Sequence, residues 1–122
     1  MEEGERKMAE MSVRSILKRA GATKHYLGIE YLIEALNIME KEGSTLPLTN
    51  LSKSLYHDIA QKYCTSKHCI ERDIRTLINT LWTKGDITVL NQIFQTTLKK
   101  CPSNSEFIYA LWLYSHKEDT NN

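Results

Sequence analysis

The sequence predicts an all-α fold of about six helices. Apolar residues recur three and four positions apart in one segment after another, which is the period of an amphipathic helix. No useful length of the chain alternates apolar and polar residues as a strand would, and the 122 residues include only two prolines and five glycines. A chain of this length usually builds one hydrophobic core, so we expect a single domain.

The first two helices are predicted from their ends and their apolar spacing. Ser12 is a suitable N-cap for a short amphipathic helix that Gly21 ends. A longer helix follows, with apolar residues at helical spacing from Tyr26 to Met39 and with Gly43 as its stop. Each has one apolar face, so each is expected to pack on the core.

Helices three and four are predicted to form a helix-turn-helix. A loop over residues 43–50 precedes the third helix, which runs from Leu51 to about Lys62. Four residues, 63–66, separate it from a fourth helix over about residues 66–83. The apolar residues of this helix fall within about 100° of one another; they are Ile70, Ile74, Leu77, Ile78 and Leu81. Two helices joined by so short a turn, the second of them amphipathic, have the outline of a helix-turn-helix.

The last two helices are shorter. An apolar segment over residues 87–98 predicts a fifth helix, after which Cys101, Pro102 and Ser103 interrupt the helical pattern. Ser103 and Glu106 have the spacing of a capping box, in which each side chain bonds the backbone N–H of the other residue. We therefore expect a sixth helix to begin there.

The two ends of the chain are predicted to lie outside the folded domain. We interpret residues 1–11 as a flexible lead-in, residues 12–117 as the domain and residues 118–122 as a frayed tail. The N-terminal residues lack the apolar run of a signal peptide, and no stretch approaches the roughly 18 apolar residues of a membrane span. Three cysteines without disulfide spacing are typical of free thiols in a reducing compartment. We expect a soluble, cytoplasmic protein.

The polar face of the fourth helix carries candidate DNA-contacting residues. Four side chains lie about 140° to 200° from Ile70 on a helical wheel, away from the apolar stripe; they are His68, Arg72, Arg75 and Asn79. In a major groove, arginine can donate two hydrogen bonds to guanine, and a carboxylate such as Glu71 can accept one from cytosine. Ser66 and Lys67, with the free N–H groups of the helix start, are suited to phosphate oxygens.

The charge of the chain supports this hypothesis locally but not in bulk. The net charge is +1 and the pI about 7.7, whereas isolated nucleic-acid-binding domains often have a pI above about 9. Residues 51–84 nevertheless hold six basic against three acidic residues. The alternative is that the face is merely solvated, since Glu71 and Arg75 are spaced for a surface ion pair worth roughly a few tenths of a kcal/mol.

Four sequence blocks resemble a known family. They are YHDIAQKY at 56–63, IERDIR at 70–75, WTKGDI at 82–87 and PSNSEF at 102–107, in the family's order and with compatible spacing. The similarity extends from about residue 13 to residue 115. The family is the C-terminal effector domain of stage-zero sporulation protein A, the response regulator that governs sporulation in endospore-forming bacteria.

The resemblance implies a function as well as a fold. It implies a six-helix domain whose third and fourth helices bind a short guanine- and cytosine-containing box of double-stranded DNA as head-to-tail dimers. RNA polymerase sigma factor is a further implied partner, and no cofactor is expected. The base contacts of the family come from a Glu-Arg-x-x-Arg run, which matches Glu71, Arg72 and Arg75 here. The other candidates are expected to make backbone or auxiliary contacts; they are Ser66, Lys67, His68 and Asn79.

The chain departs from the family pattern in two ways. Relatives often have Ser-Arg just before the run, where this chain has His68 and Cys69, so lost positive charge would weaken phosphate contacts or change the preferred box. Family members normally carry an N-terminal receiver domain, for which these 122 residues leave no room. The chain is either an excised domain or a stand-alone regulator that answers to its concentration or to a partner. Met1 followed by acidic sequence favours the stand-alone regulator.

Other classes of function fit the sequence less well. Cys64, His68 and Cys69 cluster, but no CxxC or HxxxH pair is present, so we expect no metal. Aromatic residues at helical spacing are expected to be core rather than a ligand box. The sequence contains no phosphate loop, no nucleophile elbow and no well-placed carboxylate pair, so we do not expect an enzyme. The remaining rival is a protein-binding module that pairs with, or antagonises, a full-length relative.

Overall fold

The computed structural model describes residues 12–23, 26–42 and 48–116, and this part of the chain contains six helices and no strand. The helices are α1 (residues 12–20), α2 (Leu27–Glu42), α3 (Leu48–Lys62), α4 (Lys67–Lys84), α5 (Ile87–Phe94) and α6 (Asn104–His116). The prediction of an all-α fold of about six helices is confirmed. The predicted lead-in and tail, residues 1–11 and 118–122, lie outside the described residues. Within the described ranges, no helix is both long and apolar enough to cross a membrane.

Helix α4 lies at the centre of the fold. It packs against α2, α3, α5 and α6. All five apolar residues of its predicted stripe are buried, and each such side chain contributes about 1.5–3 kcal/mol. Because this stripe occupies one side of α4, the opposite side is left to solvent. The largest fully buried side chains come from all six helices: Ile16, Leu17, Leu32, Leu55, Ile59, Ile70, Ile74, Leu77, Ile78, Leu81, Leu90 and Phe107.

The turn between α3 and α4 spans residues 63–66, as predicted. Cys64 adopts a left-handed conformation with φ of 54°, and the N–H of Thr65 bonds the carbonyl of Ala60 at 2.9 Å, which ends α3 in a Schellman-type turn. The ring of Tyr63 packs edge-on against Tyr31 of α2, with 5.1 Å between ring centroids. The turn is therefore fixed both by its own backbone and by a neighbouring helix.

Helix α3 begins earlier than predicted. Its first residue is Leu48 rather than Leu51, so the predicted loop over 43–50 is wrong for its last three residues. The remainder of that loop, residues 43–47, lies outside the described part of the chain. Proline is common at the start of a helix, where the N–H groups have no partner within the helix, so Pro47 in the sequence did not require a loop through residue 50.

Helix α5 is shorter than predicted, since it ends at Phe94 instead of continuing to Leu98. Gln95 adopts a left-handed conformation with φ of 56°, and the N–H of Thr96 bonds the carbonyl of Asn91. The side-chain oxygen of Asn91 also accepts a hydrogen bond from the N–H of Leu98 at 2.9 Å. These bonds turn the chain back over the end of the helix and replace the next helical turn.

The predicted capping box at the start of α6 is present. Ser103 N–H donates to Glu106 Oε1 at 2.8 Å, and Glu106 N–H donates to Ser103 Oγ at 3.2 Å. We expect Ser103→Ala to lower the free energy of unfolding by about 1 kcal/mol, because one N–H of the first turn loses its acceptor. Urea unfolding measures this loss. Ser105→Ala is the control, and equal effects of the two changes would contradict the capping role.

Candidate nucleic-acid interface

The start of α4 exposes backbone donors beside two polar side chains. Ser66 caps the helix, with its Oγ accepting a hydrogen bond from the N–H of Cys69 at 3.2 Å. The N–H groups of Lys67 and His68 meet no acceptor among the described residues, and both side chains are exposed. Free N–H groups at the positive end of a helix dipole favour an anion such as a phosphate oxygen.

Cys69 turns back toward this cap. Its side chain is half-buried. Hydrogen bonds to Ser66 and then Thr65 are the main causes that hold the pKa of the Cys69 thiol below its usual value, and the nearby cation of Arg72 adds to the effect. The thiol therefore interacts with the turn before α4. It supplies no positive charge to the surface, unlike the arginine that relatives often have just before the Glu-Arg-x-x-Arg run. Sequence spacing alone did not indicate these contacts.

Two arginines project from the solvent side of α4. The side chains of Arg72 and Arg75 are 69% and 60% exposed, and that of Glu71, directly before Arg72, is 43% exposed. Arg75 Nη2 lies 3.2 Å from Glu71 Oε2, and Arg72 Nε lies 3.5 Å from Asp73 Oδ1. Ion pairs this exposed contribute only about 0–1 kcal/mol, so a ligand can replace them at little cost. The guanidinium groups are held on a rigid helix and remain available.

A short segment outside α4 borders the same surface; we name residues 101–105 the flanking segment. It forms a cleft of about 400 Å³ with Tyr56 and three residues of α4. Those three are Glu71, Arg75 and Asn79. Asn104 Nδ2 donates to the backbone carbonyl of Glu71 at 3.0 Å. The Sγ–H of Cys101 donates to Asn79 Oδ1 at 3.3 Å.

Burial makes ionisation of two groups of this cleft less favourable. Burial raises the pKa of the Cys101 thiol. The raised pKa favours the protonated thiol, whose S–H donates a hydrogen bond to Asn79. Burial also raises the pKa of the Tyr56 hydroxyl, and a hydrogen-bonding interaction with Asn104 opposes the rise. The charged side chains at the cleft are therefore Glu71 and Arg75, both on α4.

The structure brings the predicted site residues together on one helix. The first group lies at its start and comprises Ser66, Lys67 and His68; the second lies along the following turns and comprises Glu71, Arg72, Arg75 and Asn79. Sequence reasoning missed Tyr56, Cys101 and Asn104, which only the fold places beside the second group. Across the described residues, no three His, Cys, Asp or Glu side chains could hold one metal ion, and the three cysteines are free.

Comparison with known families identifies the domain. Residues 13–114 match the family described as the C terminal of the sporulation initiation factor Spo0A. The match covers most of the chain and contains all of the predicted site residues. The resemblance noted from the four sequence blocks is thereby confirmed, and the family is one of DNA-binding effector domains. The chain belongs to the family of Spo0A C-terminal domains and is a DNA-binding regulatory domain.

Proposed function

We propose that this domain is a sequence-specific transcriptional regulator that reads the major groove of DNA through α4. In this proposal α3, the turn over residues 63–66 and α4 form the helix-turn-helix. The observation that carries it is the exposure of Arg72 and Arg75 on the side of α4 opposite its buried stripe. No described part of the chain covers these side chains, so a duplex can reach them.

The geometry of α4 fits direct reading of bases. A helix of 18 residues is about 27 Å long, and the major groove, about 12 Å wide, admits it. Arg72 and Arg75 would each donate to O6 and N7 of a guanine, and Glu71 would accept from N4 of a cytosine. On binding, Arg75 exchanges its exposed partner Glu71 for a base edge, and both side chains then have partners of their own.

The start of α4 would fix the register of the helix on the duplex. Ser66, Lys67 and His68 offer a hydroxyl, a cation and free backbone N–H groups to phosphate oxygens. Asn79 has its oxygen engaged by Cys101, so its amide N–H₂ is the group left to donate to DNA. Phosphate contacts of this kind position a protein without reading sequence.

Membership of the family supports two further partners. Two copies bound head to tail on adjacent boxes would raise the overall affinity, because the second copy binds at high local concentration. RNA polymerase sigma factor or a full-length relative would then contact a surface that α4 does not use.

One observation favours a second function as a protein-binding module that pairs with, or antagonises, a full-length relative. A groove of about 930 Å³ runs between α5, the following loop and α6. Phe94 and Leu98 line it, and Tyr109 and Leu113 beside them are 41% and 52% exposed. A contiguous patch of exposed apolar residues often marks a protein contact. Glu71, Arg72 and Arg75 are not among the residues that line this groove, so the two functions are compatible.

Selection of duplexes from a random pool, followed by titration at several salt concentrations, tests the proposal. We expect one guanine- and cytosine-containing box to be enriched. Its affinity should fall at least about tenfold between roughly 50 and 200 mM salt, because several phosphates release counterions. A pool without enrichment, or affinity for DNA that salt leaves unchanged, would favour the protein-binding module.

A further inference from the structure

We infer that the flanking segment, residues 101–105, sets the base discrimination of α4, with Asn104 as its main positioning residue. The inference rests on the proposed function, because it concerns the same face of α4. Asn104 itself reads no base in this account. It acts by holding the backbone from which Glu71 and Arg75 project.

The flanking segment is joined to α4 at two separate places. Asn104 Nδ2 bonds the backbone carbonyl of Glu71 at 3.0 Å, and Cys101 Sγ bonds Asn79 Oδ1 at 3.3 Å. Glu71 and Asn79 are eight residues apart, which is about 12 Å along a helix. Two attachments at that separation oppose both sliding of α4 along its axis and rotation about it. Arg75 lies midway between them.

The flanking segment is itself held firmly, so it can serve as a reference for α4. Pro102 is buried, and the reciprocal hydrogen bonds of Ser103 and Glu106 fix the start of α6. Phe107, which follows at once, is fully buried in the core and packs edge-on against Phe94, with 5.8 Å between ring centroids. Asn104 is therefore placed by the core rather than by solvent.

A residue of α3 completes the arrangement. Tyr56 is buried and lines the same cleft as Asn104. Asn104 consequently stands where α3, α4 and the start of α6 meet. Both helices of the proposed helix-turn-helix therefore lie beside the side chain of Asn104.

Placement of this kind affects specific and nonspecific binding differently. A bidentate arginine–guanine pair needs two donors aligned with two acceptors, and hydrogen bonds weaken steeply as that alignment is lost. Long lysine side chains and the charge of the phosphates tolerate a small displacement. A looser α4 should therefore lose discrimination between boxes while keeping its general affinity for DNA.

The test compares Asn104→Ala and Cys101→Ala with the wild-type chain, on the selected box and on duplexes with single base-pair changes. We expect Asn104→Ala to reduce the ratio of affinities at least about threefold at the guanine–cytosine pairs that α4 reads, with affinity for unrelated duplex changed less than about twofold. Cys101→Ala should have a smaller effect of the same kind. Cys101→Ser keeps a donor and should restore discrimination.

Two controls separate positioning from loss of fold or of a direct contact. Gln92→Ala, an exposed change on α5, should leave every ratio unchanged, and thermal unfolding checks that each variant is folded. The slope of affinity against salt should match that of the wild type, since no phosphate contact is removed. If Asn104→Ala discriminated between boxes as well as the wild type, or had a shallower salt slope, this inference would be overturned while the proposed function would stand. Absence of discrimination by the wild-type chain would overturn the proposed function with it.

Discussion

Replacement of Arg72 or Arg75 by alanine is expected to weaken binding to the selected box by about 1–3 kcal/mol in each case, with relaxed preference at one base pair. Both side chains are more than half exposed, and each makes only a surface ion pair with a carboxylate of α4. Their removal therefore leaves no buried group without a partner. The folded domain should therefore be unaffected. A gel-shift titration with the box and with an unrelated duplex measures the loss and its specificity.

Arg19→Ala is the matched control for this prediction. It removes the same charge from an exposed position on α1. The end of α1 contacts the turn after α4, where the N–H of Asp86 bonds the carbonyl of Ala20, so this arginine lies toward the far end of α4 from its capped start. Binding of the selected box by both α4 variants at the level of Arg19→Ala would refute the assignment of base contacts.

Replacement of Gly85 by alanine is expected to lower the free energy of unfolding by about 3 kcal/mol, because an added methyl group has no room. A Cβ at Gly85 would overlap the backbone carbonyl oxygens of Ala20 and Leu81, which cannot move aside as a side chain can. Gly21 faces the same point with φ of 126°, so the end of α1 and the end of α4 meet backbone to backbone.

Urea unfolding of Gly85→Ala measures this effect as a lower midpoint with an unchanged slope. Lys84→Ala alters the neighbouring exposed side chain and should stay within about 0.5 kcal/mol of wild type. A wild-type midpoint for Gly85→Ala would mean that α1 does not pack on the turn between α4 and α5 as the structure has it.

Helix ends were predictable where a residue with a strong capping preference adjoins the apolar pattern. Ser66, Gly85 and the pair of Ser103 and Glu106 are residues with strong capping preferences. Helix α4 begins after Ser66 and ends before Gly85, and α6 begins beside the pair. The end of α5 was not predictable in this way. Gln95 adopts the left-handed conformation that glycine usually supplies, and the bond of Asn91 to Leu98 that stabilises it depends on side-chain orientation.

The candidate site was predictable in part for a related reason. Helical period alone assigns Arg72 and Arg75 to the face opposite the buried stripe, since both belong to one rigid element. The flanking segment was not predictable, because Asn104 and Glu71 are 33 residues apart in sequence and meet only through tertiary packing. The capping box indicated where α6 begins, but it did not indicate which helix that start would contact.

The central claim is that a guanidinium group of α4 donates to N7 of a guanine in the box. The most direct measurement replaces each guanine in turn with 7-deazaguanine, which keeps base pairing but lacks the N7 acceptor, and titrates the wild-type chain, Arg72→Ala and Arg75→Ala. The account predicts that one replacement lowers the affinity of the wild-type chain but does not lower that of one arginine variant any further. The coupling free energy between that arginine and the guanine N7 should be about 1 kcal/mol or more. Additive losses for every guanine with both variants would contradict it.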